Sequence, residues 1–386
     1  MNIAFDAKRA YLNSSGLGNY SRTLIQSLNK YYPTNNYTLF TTRQAENDFQ
    51  KYISSQKNIS VQEPQSFIDK KIRARWRSYG ITDILIQNNI NIYHGLSNEL
   101  PFNIKKFNGK KFVTVHDLIF LRHPKLYPLI DSKIYNKKFR HACDISDMII
   151  ATSEETKRDI EKFYFIPENK IQVIYQSCDE NYYNEYSPEQ IQNIITKHQL
   201  PDKFLLYVGT IEERKNLLTI IKTLKLVNDI PLVVVGKKKK YFKTVLEYIR
   251  ENKLKNRVIF LKDVSNSELA VIYRLAEIFI FPSISEGFGI PIIEALTSKT
   301  PVITTKGGCF HEAAGPDSLY IDPNNENEMA EKINFILNSD IARKQIADNG
   351  FEYAKKFHPS TITQQLMSLY TGVTIHQDSD LTIEQR

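Results

Sequence analysis

At 386 residues, 41% of them hydrophobic, the chain is too apolar for intrinsic disorder and longer than one core usually supports, so two domains are expected. Its 51 Lys and Arg against 43 Asp and Glu give a formal charge of +8, which fits phosphorylated substrates, an anionic membrane or nucleic acid without choosing among them. Three scattered cysteines, Cys143, Cys178 and Cys309, form no CxxC pair, which argues against a zinc site and against a disulfide framework.

The opening segment reaches Asp6, Lys8 and Arg9 without an apolar signal region, and the most apolar stretch, 271–284, is interrupted by Arg274 and Glu277. A cytoplasmic chain with no membrane span is expected. Short β-rich apolar runs then alternate with helical patterns, the mark of βαβ units and parallel sheets. In the first half the strands fall at 2–5, 37–41, 92–94, 112–115, 148–151 and 171–174, one Rossmann-like sheet. Gly16-x-Gly18 follows the first of them. Lys70, Lys71, Arg73, Arg75 and Arg77 surround Trp76; they read as a solvated helix face, or as a membrane-surface contact, because a basic helix carrying Trp suits an interface. His116 and Asp117 end the fourth strand. A lone histidine there is more often a satisfied structural residue, but this one faces the expected cleft and is a candidate for catalysis or ligand positioning.

The polar stretch 179–198 reads as a linker, after which a second strand series begins at 204–208 and continues at 232–235, 258–260, 278–281, 302–304 and 319–321, with a helix over 217–227. The run Lys237 to Lys240 reads as an exposed loop, and the tail after Ile375 as polar and frayed. In sheets of this kind ligands bind beyond the carboxyl ends of the strands, so the informative loops are those after 204–208 and 278–281. The first, Gly209-Thr-Ile-Glu-Glu-Arg214-Lys215-Asn216, places two cations where they can neutralise phosphate charge. The second, Pro282-Ser-Ile-Ser-Glu286-Gly-Phe-Gly-Ile-Pro291-Ile-Ile-Glu294, combines a tight turn at Gly287 and Gly289 with a helix start near Ile290. The positive end of that helix suits a diphosphate, and Glu286 and Glu294 can accept hydrogen bonds from hydroxyls of one ligand. Either glutamate alone would read as a cap or a solvated carboxylate.

Together, Gly-Thr-x-Glu-x-Arg-Lys-Asn, Val-Val-Gly and Pro-Ser-x-x-Glu-Gly-Phe-Gly-x-Pro-x-x-Glu-Ala resemble the donor domain of glycosyltransferase family 4. The resemblance continues through Thr300-Pro-Val-Ile-Thr304, Glu312-Ala-Ala-Gly315 and Asp322-Pro323. In the first half it rests on Gly16-Leu-Gly18-Asn-Tyr20-Ser, on His94 to Pro101 and on Val115 to Pro124, and it covers about residues 3 to 370. It departs at Ser298-Lys299 and at 306–311, loops near the donor.

The resemblance implies a GT-B fold: an N-terminal acceptor domain over 1–180, a C-terminal donor domain over 195–358, and a terminal segment at about 361–386 packing back on the first. It implies a retaining hexosyltransferase of the mannosyltransferase-like group of bacterial surface-polysaccharide enzymes, with no metal or other cofactor. GDP-mannose is the favoured donor, with a UDP-sugar as the alternative. By residue, Arg214 and Lys215 would bind the diphosphate and Glu294 the ribose. Glu286 and the Phe288–Ile290 backbone, with Gly287 and Gly289 in the same turn, would bind the transferred sugar. Gly16 and Gly18 would shape the loop near the phosphates, Gly209 would open the Arg214 loop, and His116 with Asp117 would border sugar and acceptor. No residue qualifies as a covalent nucleophile, so the leaving diphosphate would help deprotonate the acceptor from the same face. Implied partners are a nucleotide sugar, a glycan or polyprenyl-linked acceptor at the inner membrane face, and an anionic membrane, but no nucleic acid. Three rivals remain. A sugar-nucleotide epimerase of the same fold would release nucleotide without an acceptor product. An NADP-dependent oxidoreductase would need a third glycine where Ser21 stands, and 41–43 offers no acidic ribose ligand. A nucleic-acid binder would need a recognisable module.

Overall fold

The computed structural model describes residues 1–372 and has two parallel sheets flanked by helices. The first sheet contains β1 (Asn2–Asp6), β2 (Asn36–Phe40), β3 (Ile59–Gln62), β4 (Ile92–Gly95), β5 (Lys110–Val115), β6 (Met148–Ala151) and β7 (Ile171–Val173), in the order β3-β2-β1-β4-β5-β6-β7. The second contains β8 (Leu205–Val208), β9 (Leu232–Val235), β10 (Val258–Leu261), β11 (Ile278–Phe281), β12 (Val302–Thr305) and β13 (Leu319–Ile321), in the order β10-β9-β8-β11-β12-β13. Phe5 lies opposite Leu39 and His94; in the other sheet Leu206 lies opposite Val233 and Phe279. Central strands such as β11 are covered on both faces, which is why they read as unbroken apolar runs. Strand order reverses between β1 and β4 and again between β8 and β11. The loops leaving those strands therefore open on crevices.

Three elements differ from the sequence reading. β3 was not expected: it is an edge strand of four half-exposed residues, so only Ile59 and Val61 carry an apolar signal. The stretch 179–198 is more than a linker, because its second part forms the helix Pro188–His198, opened by a capping box between Ser187 and Gln190. Ile191, Ile194 and Ile195 stand at helical spacing and Ile194 and Ile195 pack against the core, a stripe that the surrounding Asn, Gln and Tyr residues obscured; Lys197 pairs with Glu268 at 2.5 Å and fastens the helix to the second domain. The helix expected over 217–227 ends at Thr223.

The basic cluster also divides. Lys70, Lys71, Arg73 and Arg75 are exposed, whereas Trp76 is buried and Arg77 forms an inner ion pair with Asp6 and Glu99. Trp76 therefore cannot serve as the interfacial residue. The exposed apolar side chains beside these cations include Phe67, at 81% exposure, Ile68, at 58%, and Ile72, at 49%.

The helix Pro359–Thr371 returns to the first sheet, where the Tyr370 hydroxyl lies 2.5 Å from His94 Nδ1 and the Tyr370 carbonyl accepts from Lys110 at 3.2 Å. The rest of the expected 361–386 segment, including the tail after Ile375, lies outside the described residues. One apolar cluster runs from Phe5 and Leu39 through Cys178, Tyr182 and Phe204 to Phe279 and Phe357, so the two domains share packing at the base of the cleft. Two further clusters fill the outer faces of the sheets.

Candidate functional site

The loops after β8 and β11 meet. Arg214 and Lys215 lie on a short turn between β8 and the helix Leu217–Thr223, and Glu286 lies on the loop joining β11 to the helix Ile290–Thr297. Glu286 Oε1 is 2.9 Å from Arg214 Nη1 and 2.5 Å from Lys215 Nζ, and it accepts from Ser283 Oγ at 2.5 Å. Arg214 also donates to the Ser285 carbonyl and pairs with Glu212 at 2.9 Å, while the Lys215 ammonium sits 4.9 Å from the centre of the Phe281 ring. All three charges are largely withdrawn from water. Burial works to neutralise Glu286, but Arg214 and Lys215 outweigh it and hold the carboxyl down at about 2. Burial lowers the Lys215 ammonium, against the pull of Glu286, whereas for Arg214 the neighbouring carboxylates overcome burial and raise it. Two cations in a loop beside a helix amino end have the chemistry to take a phosphate anion in exchange for Glu286, which holds both of them here.

The opposing wall comes from the first domain. His116 follows β5, and its ring nitrogens are both engaged: Nε2 lies 2.8 Å from the Leu96 carbonyl oxygen and Nδ1 lies 2.9 Å from Gln176 Nε2. A carbonyl can only accept, so Nε2 carries the proton. Burial, assisted by the charge of Arg9, pushes the imidazole down to about 4, and the ring is neutral near pH 7. Tyr20 packs edge-on against it at 4.7 Å. The ring has no free nitrogen in this geometry; what His116 presents across the cleft is its carbonyl. Asp117 is half-buried with its carboxyl pushed up by burial, against a hydrogen bond from the Ile119 N–H and the charge of Arg214.

The two walls touch at Gly287. A Cβ there would lie 2.0 Å from the His116 carbonyl oxygen, so only glycine permits this approach. The Gly287 carbonyl in turn accepts from Ser153 Oγ at 2.7 Å and from Thr152 Oγ1 at 3.3 Å. Beside it, Glu312 accepts from the N–H groups of Glu154 (2.6 Å) and Glu155 (3.1 Å), at the start of the helix Glu154–Tyr164. Glu155 accepts from the Cys309 N–H at 3.0 Å and pairs with Arg122 at 2.5 Å.

Gly16 and Gly18 open the helix Gly16–Tyr31 after β1. A Cβ on Gly18 would meet the Asn13 carbonyl at 1.8 Å, whereas Gly16 faces open space. Gly209 ends β8 and donates to the Val235 carbonyl at 2.9 Å. Phe288 points away from the cleft into a stack with Tyr175 at 5.3 Å, so its backbone alone, with that of Gly289 and Ile290, lies at the site. Glu294 is only 6% exposed and its Oε2 accepts from the Tyr273 hydroxyl at 2.9 Å. The structure thus groups Arg214, Lys215, Glu286, Gly287, His116 and Asp117 closely and sets the Glu294 carboxyl into an interior cluster with Tyr273.

Sequence reading missed the contacts that join the domains. Ser153, which caps the helix Glu154–Tyr164, was not singled out, and nothing local links Arg122 or Glu155 to the second domain. It also missed Lys237, whose ammonium bonds Ser14 beside the Gly16 loop, and Lys239, which pairs with Glu212 at 2.5 Å. Part of the lysine run thus belongs to the cleft rim.

Two family models match the chain: Glycosyltransferase Family 4 over residues 14–182 and Glycosyl transferases group 1 over residues 190–353. Among curated proteins, O-antigen chain mannosyltransferase B of Escherichia coli is 25% identical over 285 residues, 72% of this chain and 74% of its own. O-antigen chain mannosyltransferase RfbU of Salmonella typhimurium is 33% identical over 226 residues, 57% of this chain and 59% of its own, so the match spans under two thirds of that relative. Among solved structures, sucrose-phosphate synthase from Thermosynechococcus elongatus superposes with a TM-score of 0.78 at 18% identity, covering 97% of this chain and 99% of that one. Anabaena HepE in complex with UDP-glucose superposes with a TM-score of 0.77 at 17% identity, covering 96% and 100%. These two likenesses concern the fold.

Proposed function

The chain belongs to the GT-B glycosyltransferases of family 4 and group 1, and from that premise we propose that it moves a hexose from a nucleoside-diphosphate sugar to a glycan or lipid-linked glycan in polysaccharide assembly. The observation that carries this reading is the Arg214–Lys215–Glu286 cluster, set between the amino end of the helix Ile290–Thr297 and the His116 carbonyl wall. GDP-mannose is the favoured donor because the sequence relatives are named mannosyltransferases, with a UDP-hexose as the alternative.

In this mechanism the diphosphate competes with Glu286 for Arg214 and Lys215, and the carboxylate thus freed turns to hydroxyls of the transferred sugar. While Arg214 and Lys215 hold it, Glu286 is an ionised acceptor, burial notwithstanding, and it enters the exchange as a carboxylate. The bond from the anomeric carbon to the phosphate oxygen breaks, its electron pair passing to the diphosphate, whose charge the two cations stabilise. The acceptor oxygen attacks from the same face and its proton passes to the departing diphosphate, so configuration is retained. No metal is needed, because Arg214 and Lys215 supply the positive charge. His116, neutral and doubly hydrogen-bonded, acts by fixing the wall of the sugar site.

A lipid-borne acceptor fits the exposed segment that carries Phe67, Ile68, Lys70, Lys71 and Arg73. Exposed apolar side chains amid cations suit an anionic lipid surface. Among the described residues no helix is long and apolar enough to cross a membrane.

The test is incubation of the protein with GDP-mannose, UDP-glucose and UDP-N-acetylglucosamine and a lipid-linked glycan acceptor. The expected result is one elongated product with an unchanged anomeric configuration by NMR, formed equally in chelator. Nucleotide release with no elongated product would favour the epimerase reading.

A further inference from the structure

A second concave site lies away from the cleft, between the later turns of the helix Gly16–Tyr31, the segment Tyr52–Asn58 and the interdomain crossing at Asp179–Asn184. Its volume is about 590 Å³, within the range of small-ligand sites. Asn29 stands thirteen positions beyond Gly16 on the helix, about 20 Å along its axis, so the site is separate from the Arg214 cluster.

Its walls carry six carboxamides, Gln26, Asn29, Gln56, Asn58, Asn181 and Asn184, with the hydroxyls of Thr23 and Ser27 and the ring of Tyr52. A carboxamide carries an acceptor and two donors, the complement of a hydroxyl that both gives and takes a hydrogen bond; Asn58 and Gln56 spend their amide donors on neighbouring protein oxygens and Asn181 directs its amide nitrogen to Asp179, which leaves their remaining groups with Gln26 and Asn184 to face a ligand. Its one cation is already paired, and its carboxylates outnumber it. Lys30 pairs with Glu180 at 2.8 Å, and Asp179 Oδ1 accepts from both the backbone and the side chain of Asn181, at 2.9 and 2.7 Å. A phosphate entering here would meet two carboxylates and one occupied ammonium, so the lining disfavours a nucleotide. One buried group points to a donor: Asn29 spends its Nδ2 on Tyr52 (2.9 Å) and Gln56 (2.8 Å), while its Oδ1 has no partner in the protein.

We propose that this cavity binds an uncharged oligosaccharide, one of whose hydroxyls donates to Asn29 Oδ1. Because Glu180, Asn181 and Asn184 belong to the crossing between the domains, such a ligand bridges the Gly16–Tyr31 helix and the hinge. The ligand class stands on the lining alone; that the oligosaccharide is the glycan this protein extends rests on the glycosyltransferase reading.

The experiment is calorimetric titration of the full chain with mannotetraose, maltotetraose and a sulfated heparin tetrasaccharide, using wild type, Arg214→Ala, Asn29→Leu and Asn184→Trp. Asn184 is exposed, so the tryptophan fills the cavity without entering the core, and circular dichroism checks the fold. The expected result is binding of at least one neutral tetrasaccharide, unchanged in Arg214→Ala and weakened tenfold or more in Asn184→Trp and Asn29→Leu. No neutral binding to wild type, preference for the sulfated sugar, or loss in Arg214→Ala with Asn184→Trp unaffected would each overturn the proposal. Glycan binding without any sugar transfer would leave this site standing and overturn the catalytic reading alone.

Discussion

Glu294→Gln tests whether the carboxyl behind the donor loop is a buried, protonated group. The substitution keeps the shape and the acceptor for the Tyr273 hydroxyl, so what it removes is the capacity to ionise. Burial raises the Glu294 carboxyl from 4.5 to about 7, against the opposing hydrogen bond from Tyr273. Between those two values the folded protein holds a proton that the unfolded chain has released, so stability is full below pH 4.5 and falls as pH rises through the window. At about 1.4 kcal/mol per unit, the loss by pH 8 is roughly 3 kcal/mol. The glutamine variant has no such loss. Wild type and variant should therefore melt together near pH 4.5 and separate on going to pH 8, the variant becoming the more stable. For a domain of this size each kcal/mol corresponds to about 2–4 °C, so the gap should reach roughly 6–12 °C. Differential scanning fluorimetry at half-unit pH steps reads the difference, and other titrating groups cancel between the two proteins. A gap that stays under about 2 °C at every pH would mean that Glu294 ionises as it does in water, and the packing described for it would be wrong.

Lys215→Met should weaken nucleoside-diphosphate binding by about 10- to 100-fold, the worth of a charged hydrogen bond, and calorimetry showing less than threefold would remove Lys215 from the phosphate site. Gly287→Ala should leave each domain folded but force the His116 carbonyl away, since the new methyl would lie 2.0 Å from it; a drop in kcat/KM of at least tenfold is expected, and normal turnover would refute the close approach. Arg77→Met should cost about 3–5 kcal/mol in urea unfolding, because Asp6 and Glu99 would keep their charges without a partner; a cost below about 1 kcal/mol would show that the pair is solvated. Vesicles rich in anionic lipid should sediment wild type but not a Phe67→Ser, Ile68→Ser variant, and equal recovery of the two would dismiss that face as a lipid contact.

The two-sheet architecture and the loops that carry Arg214, Lys215 and Glu286 were legible because each depends on local pattern. Buried parallel strands must be apolar along their whole length, and the turn into a helix after β11 needs glycines and a permissive Pro291 at fixed offsets. Arg214, Lys215 and Glu286 stood out for the same reason: each follows a strand of one sheet, and parallel topology brings such loops to one edge. The half-exposed strand Ile59–Gln62 buries too little to leave a clear period, whereas the helix Pro188–His198 carries Ile191, Ile194 and Ile195 at helical spacing and was misread because its polar composition was weighed above that period.

What the sequence by itself determined is where the chemistry must gather, since strand period and turn residues act over a few positions. Only the tertiary structure decided how the charges and hydrogen bonds are spent. Trp76 and Arg77 sit in a cluster that reads as surface charge, yet packing buries the indole and gives the guanidinium to Asp6 and Glu99. His116 looks like a free base until Leu96 and Gln176, 20 and 60 residues away, occupy its two nitrogens. Contacts between Ser153 and Gly287, or Glu312 and the Glu154–Tyr164 helix, join segments more than a hundred residues apart. Such pairings follow from how two folded sheets approach each other, and no local stretch of residues encodes that distance.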